Sequence, residues 1–371
     1  MIPATTTGAD FATRLYDRLA SAQAGKNLFL SPFSIQVALA MTAAGAKGET
    51  RRALADLIGA PANVDEQNRH YAEWLKAIHG ESKQQLATAN ALWTQQGYRF
   101  KPEYKKAIAD FYDGTFNEVN FLSAPDQAVK TINAWVESKT AGKIKGLFRR
   151  DLITADTRLI LTNAIDFKGK WDSEFDKNDT LDEDWHGNSS VRKVPMMQQR
   201  GGFLYCENDD LQALDLPYQG QELSMLLVLP RKQNGLAALE SKWAAANTYR
   251  QVTDSLSHED TIIASIPRFK MEAEFILSSA LCEMGAGLAF SDKADFSGIG
   301  AEPLKISEVI HKAFVEVNEE GTEAAAATGV VARKCAIGQT KVFRADHPFL
   351  FFIRHRNTNA VLFGGRLQEP N

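Results

Sequence analysis

Three cysteines and seven histidines are the side chains best suited to nucleophilic or metal chemistry, and their spacing commits them to neither. Cys206, Cys282 and Cys335 lie far apart, without the Cys-x-x-Cys spacing of a zinc site or the density of a disulfide scaffold. An odd number leaves at least one free thiol unless chains pair, which favours a reducing compartment. There is no Gly-x-Ser-x-Gly elbow, dinucleotide-binding glycine pattern, phosphate-binding loop or His-Glu-x-x-His motif. Gly298-Ile299-Gly300 continues into Ala-Glu-Pro, and His258-Glu259-Asp260 lacks its second histidine. No catalytic residue, metal ligand or cofactor is assigned, and the chain is not read as an enzyme.

Residues 316–334 carry a different kind of chemistry. They read Glu-Val-Asn-Glu-Glu-Gly-Thr-Glu-Ala-Ala-Ala-Ala-Thr-Gly-Val-Val-Ala-Arg-Lys. Alanine is the best helix former and Thr322 could cap a helix, so helix is one reading. Period two gives another. Thr322, Ala324, Ala326, Thr328, Val330 and Ala332 then share one face, all small or medium and uncharged, while Glu323 and Arg333 fall on the other. Such a segment can lie as a central strand with its small face on a core.

The elements around it read as one large α+β domain. Phe11, Leu15 and Leu19 recur at helical spacing, Ser31-Pro32 looks like a cap with proline at the first helical position, and the apolar segment that follows stops near Gly45. Segments 102–113 and 126–140 also read as helices. Segments 158–167, 222–229, 260–266, 347–354 and 360–366 are short and β-rich. Strands and helices do not alternate regularly, and no repeat or Pro/Gly linker divides residues 1–371. A formal net charge of -4 recruits neither nucleic acid nor an anionic membrane. The basic pairs Lys105–Lys106, Arg149–Arg150 and Arg192–Lys193 read as solvated faces. No apolar run approaches the ~18 residues of a membrane-spanning helix. The start shows no signal peptide, which fits a cytoplasmic protein or a secreted one whose signal has been removed. Asn178-Asp-Thr180 and Asn188-Ser-Ser190 match the glycosylation triplet, a pattern common by chance.

Several motifs in order resemble the serpin family, nearly end to end. Glu319-Glu320-Gly321-Thr322-Glu323-Ala324-Ala325-Ala326-Ala327-Thr328 is similar to the hinge of inhibitory serpins. Asn27-Leu-Phe-Leu-Ser31-Pro32-Phe-Ser34-Ile35, Leu161-Thr162-Asn163 through Lys170-Trp171, Ala294-Asp295-Phe296-Ser297-Gly298 and Phe343 through Phe351 match family segments as well. The resemblance implies three β-sheets surrounded by helices, with an exposed reactive loop at about 319–342. It implies a monomeric serine protease inhibitor that is cleaved as a suicide substrate and traps the protease by loop insertion. Ser31, Ser34, Asn163 and His311 would form a polar cluster beneath the centre of the main sheet. They could equally be ordinary satisfied core groups. Trp171, Glu319 and Arg268 would stand where the hinge enters, with arginine in place of the family's more usual lysine.

Counting along the family pattern from Gly321, and back from Phe343, places the cut between Cys335 and Ala336. Cysteine there suits an elastase-like or chymotrypsin-like protease. Lys334 or Arg333, just before it, would suit a trypsin-like one. The rival expectation is a non-inhibitory serpin serving as carrier, chaperone or storage protein. Such members gain bulky, charged or proline residues in the hinge, and this hinge has none. Residues 64–85 are not a basic helix, so no heparin-like activation is expected.

Overall fold

The computed structural model describes residues 6–79, 85–188, 190–244, 248–322 and 340–371. Six helices occupy most of the first third: α1 (Thr6–Ala22), α2 (Pro32–Ala44), α3 (Gly48–Ile58), α4 (Val64–His79), α5 (Pro102–Tyr112) and α6 (Pro125–Lys139). Local signals set their bounds. The Ser31 hydroxyl accepts the Ser34 N–H at 3.1 Å and caps α2, with Pro32 in its first turn. Gly59, in the left-handed region, ends α3. Residues of α2 are buried all round, so its sequence is a continuous apolar run rather than a striped one.

Between these helices lie β1 (Leu28–Leu30), β2 (Gln85–Gln95) and β3 (Thr115–Val119), strands that the helical reading of this region did not anticipate. The strands β4 (Leu159–Lys170), β5 (Leu181–His186), β6 (Val191–Glu207), β7 (Leu211–Pro217), β8 (Leu223–Pro230), β9 (Ser257–Pro267) and β10 (Phe269–Ile276) follow. β11 (Ile306–Asn318), β12 (Gly321–Thr322), β13 (Lys341–Arg344), β14 (Phe349–His355) and β15 (Ala360–Leu367) complete the set, with α7 (Leu236–Ala244) and α8 (Thr248–Ser255) after β8. No described helix is long and apolar enough to cross a membrane.

One sheet runs β10-β11-β12-β4-β2-β3, with β11 also paired directly to β4. The other runs β1-β15-β14-β8-β7-β6-β9-β13, and β5 joins it on β6. Of the three sheets that the resemblance implies, two are thus linked into one hydrogen-bonded path. The link is the 17-residue β6, which carries an irregularity between Gly201 and Phe203.

Within the six-stranded sheet β4 is buried along nearly its whole length, so its sequence shows no apolar–polar alternation. Its inner face, including Leu161, Ile165, Val309 and Ala313, packs into the main core with α2 and the second sheet. Its outer face is covered by α6 and the connection after it. There Ala128, Ile132, Val136, Ile144 and Leu147 meet Ala89, Trp93, Ile160, Ala164, Ile310 and Phe314 in a second, smaller core.

The second sheet contains a buried charge cluster. Asp215 on β7 accepts from Arg354 Nε at 2.9 Å and from the Ser224 hydroxyl at 2.7 Å, and pairs with Arg356 at 3.3 Å. Removing the carboxylate leaves the buried Arg354 guanidinium without its counter-charge, while Arg356 still reaches solvent. Asp215→Ala is expected to cost about 3–5 kcal/mol, measured by urea denaturation of the intact protein.

Candidate functional site at the β4–β11 seam

β4 and β11 run parallel, with an irregularity between Ile306 and Glu308 and continuous register from Ile160/Glu308 to Asp166/Phe314. At the middle of this seam Asn163 stands opposite His311. The Ser31 backbone N–H donates to His311 Nε2 at 3.1 Å, so the ring's proton sits on Nδ1, which donates to Asn163 Oδ1 at 2.5 Å. Asn163 Nδ2 donates in turn to the Ser34 hydroxyl and to Asn90 Oδ1. The Ser31 hydroxyl donates to the Leu362 carbonyl at 2.6 Å. Ser31, Ser34, Asn163 and His311, named from the sequence as one cluster, are brought together here, all fully buried. Asn90 on β2 is a fifth member that the sequence reading missed. Its register opposite Asn163 puts it there, and its only sequence signal is a polar side chain inside a buried strand.

Burial depresses the His311 pKa to about 3. A second proton would have to enter at Nε2, where Ser31 already donates, so the ring stays neutral. The His311–Asn163 hydrogen bond crosses the seam. Any strand laid between β4 and β11 at this level must break it.

At the other end of the seam a strand already lies there. β12 pairs antiparallel with β11, Thr322 opposite Val317, and with β4, Thr322 opposite Gly169. Gly321 has φ of 149°, and a Cβ there would stand 2.1 Å from the Gly169 carbonyl oxygen, so glycine alone fits. Thr322 is fully buried on the inner face, its hydroxyl 2.8 Å from that of Tyr218. Tyr218 stacks on Trp171 with centroids 4.6 Å apart.

Trp171, Glu319 and Arg268 converge beside this strand. Trp171 Nε1 donates to the Asn318 carbonyl at 2.9 Å, and its backbone N–H to the Glu320 carbonyl at 3.0 Å. The Glu319 carboxylate accepts from Arg268 Nε at 2.7 Å and from the Thr180 hydroxyl at 2.5 Å. Burial would raise the Glu319 pKa, but these hydrogen bonds and the guanidinium charge hold it below the usual value. Lys177 pairs with Glu320 at 2.5 Å. Lys177 and Thr180, from one turn, and Tyr218, after β7, were not assigned to this group from sequence, because only the fold brings them to it.

Glu323, Ala324, Ala325, Ala326, Ala327, Thr328, Arg333, Lys334, Cys335 and Ala336 lie outside the described residues. The described residues end at Thr322 in the six-stranded sheet and resume at 340, just before β13, the parallel partner of β9. Cys206 and Cys282 are free thiols, each with its pKa raised by burial.

The site is thus a sheet with a buried polar seam and, at one end of that seam, the two-residue strand β12 paired to both of its edges. A family model described as Serpin (serine protease inhibitor) matches residues 6–370. The leukocyte elastase inhibitor of Homo sapiens is 38% identical over 370 residues, covering 97% of each chain. Serpin48 of the insect Tenebrio molitor superposes with a TM-score of 0.90 at 30% identity, covering 99% of this chain and 98% of its own. Human thyroxine-binding globulin, solved with its hormone, has the same TM-score of 0.90 at 27% identity, with 99% and 98% covered. The chain belongs to the serpin family.

The neutral state of His311 has a measurable consequence. Its folded pKa lies below the unfolded value of about 6.5, so the unfolded chain takes up a proton first as pH falls. The stabilisation is complete above pH ~6.5 and is lost toward pH ~3, at about 1.4 kcal/mol per pH unit. Between pH 6.5 and 5, urea denaturation should show the wild type losing about 2 kcal/mol more than His311→Gln.

Proposed function

We propose that this protein inhibits serine proteases as a suicide substrate. The protease cuts in the segment after Thr322, its serine is held as an acyl-enzyme, and the freed segment continues β12 down the seam between β4 and β11. Insertion of a cleaved loop is the behaviour for which serpins are known. One observation carries the proposal for this chain. Thr322 lies between β4 and β11 with its side chain on the inner face, the phase in which Ala324, Ala326, Thr328, Val330 and Ala332 would follow onto that same face. In the opposite phase Glu323 and Arg333 would have to be buried.

Residues 322–334 in extended form span on the order of 40 Å, at ~3.3 Å per residue. The hydrogen bonds gained would release on the order of 10 kcal/mol, at ~1 kcal/mol each. That suffices to drag the acylated protease away and distort a catalytic triad, whose chemistry tolerates little misplacement. In this reading Ser31, Ser34, Asn163 and His311 hold the seam until cleavage, and Trp171, Glu319 and Arg268 hold the hinge where it enters. The reactive bond is Cys335–Ala336, with cuts after Lys334 or Arg333 as alternatives. The elastase-inhibitor relative favours an elastase-like target. The small hinge residues speak against a carrier of the thyroxine-binding kind.

Incubation with pancreatic elastase, chymotrypsin and trypsin, followed by denaturing gels and mass spectrometry, tests the proposal. A denaturant-stable complex with one enzyme is expected, the released C-terminal peptide identifying the bond. Cleavage by all three without complex, and without a rise in Tm of the cleaved protein, would overturn it. Thr328→Arg, in the same phase as the already seated Thr322, should remain cleavable yet form at least tenfold less complex, because insertion would bury the charge in the seam. Undiminished complex from that variant would contradict insertion through this slot.

A further inference from the structure

The chain contains a single Asn-Gly step, Asn234-Gly235, in the turn that joins β8 to α7. Lys232, Gln233, Asn234 and Gly235 form a β-turn closed by the Gly235 N–H, which donates to the Lys232 carbonyl at 2.8 Å. The turn is tight on its inner side. A Cβ at position 235 would stand 2.8 Å from the Lys232 carbonyl oxygen and 2.9 Å from Pro230 Cβ, so a side chain is excluded there. Gly235 also begins α7, because its carbonyl accepts the Leu239 N–H at 3.0 Å. Just beyond it Leu236 and Leu239 are buried in the core.

Asparagine is among the thermolabile residues, and this one is placed to react. Asn234 is exposed, and among the described residues its side-chain amide has no hydrogen-bond partner. The adjoining Gly235 nitrogen has no side chain of its own to screen it. One exposed hydrogen bond favours the closed turn by only about fivefold. When that bond opens, the nitrogen can lose its proton to solvent and attack Asn234 Cγ. The new N–Cγ bond closes a five-membered imide. The Cγ–Nδ2 bond breaks, and ammonia leaves after taking up a proton from solvent. Water then splits one of the two imide C–N bonds. Cleavage at Cγ leaves aspartate, whereas cleavage at the main-chain carbonyl leaves isoaspartate, whose backbone runs through Cβ and Cγ. Nothing is oxidised or reduced, and water is the only co-reactant.

We propose that Asn234-Gly235 is a self-modification site where the native protein converts to aspartyl and isoaspartyl forms, the latter a substrate for a repairing isoaspartyl methyltransferase. The two products differ in how they fit. Aspartate keeps the backbone length and puts a negative charge just before the positive end of α7. Isoaspartate lengthens a turn that has no room for a Cβ at its last position, so Gly235 shifts and the first hydrogen bond of α7 is lost. The chain before the turn is anchored separately. The Pro230 carbonyl accepts from His347 Nε2 at 2.7 Å, and the Arg231 N–H donates to the Asp210 carbonyl at 2.8 Å. The damage is therefore confined to the turn and the start of α7.

Incubation of the intact protein at mildly alkaline pH, followed by charge separation and peptide mapping by mass spectrometry, tests the proposal. Each conversion raises the mass of the peptide containing Asn234 by one unit and adds one negative charge. Conversion of the native protein is expected within about tenfold of the rate in concentrated urea, because a single weak bond closes the turn. The isoaspartyl fraction should take up a methyl group from S-adenosylmethionine and a protein isoaspartyl methyltransferase, and should melt below the aspartyl fraction. Asn234→Gln keeps the amide but must close a six-membered ring, so it should form no acidic species here and hold the Tm of fresh protein. Native conversion more than tenfold slower than in urea would mean that the turn withholds the nucleophile, and would overturn the proposal. Acidic species appearing equally in Asn234→Gln would place the reaction at another residue and overturn it as well. An acidic fraction that takes up no methyl group would remove the isoaspartyl product and its repair.

Discussion

The direct pairing of β4 with β11 is the constraint on which the rest of this structure depends. The two strands are parallel, so the chain between them crosses the whole molecule, and their contact owes nothing to local sequence. Parallel pairs are slightly less stable per residue than antiparallel ones. A strand entering between them antiparallel to both, as β12 does, replaces one parallel interface with two antiparallel ones. Under the proposed insertion, the closed seam would be the weaker arrangement by backbone hydrogen bonding, and side chains above and below would hold it.

Those side chains differ in kind on the two faces. Beneath the sheet, Ser31, Ser34, Asn90, Asn163 and His311 are neutral groups with tightly matched donors and acceptors. A neutral network in a dry core needs no charge compensation, and each member loses its partner when the strands part. On the outer face Lys312, Glu272, Glu274 and Arg149 are charged and closer to solvent. They lose less on separation because water can take the place of a partner.

How much of this was legible in the sequence depends on whether local physics or tertiary contact decided each feature. Ser31-Pro32 announced the start of α2 because a capping hydroxyl followed by proline is a local requirement, and helices 102–113 and 126–140 fell within a residue of α5 and α6. β2 was hidden because Gln85–Gln95, buried on its central stretch from both faces, has no alternation to detect. Arg149 read as part of a solvated pair, yet it reaches Glu274 across a gap that no sequence spacing reveals. Asn90 joined its cluster only through register with Asn163. Thr322 faces inward as the period-two reading expects, while the later members of that face lie outside the described residues.

Gly321 shows why the added strand begins where it does. Its backbone lies between Lys170 and Asn318 with no room for a Cβ beside the Gly169 carbonyl, and its φ lies where side chains are strained. Gly321, opposite Lys170, and Gly169, opposite Thr322, let β12 approach β4 closely, and Thr322 then meets Tyr218. A larger residue at either glycine would hold the strands apart at the seam's mouth and expose Tyr218 and Trp171. The mouth is thus shaped by absent side chains, and the middle by paired polar ones. Under the proposed insertion, a strand that starts at Gly321 would advance by displacing the β4–β11 pairs one after another toward Asn163 and His311.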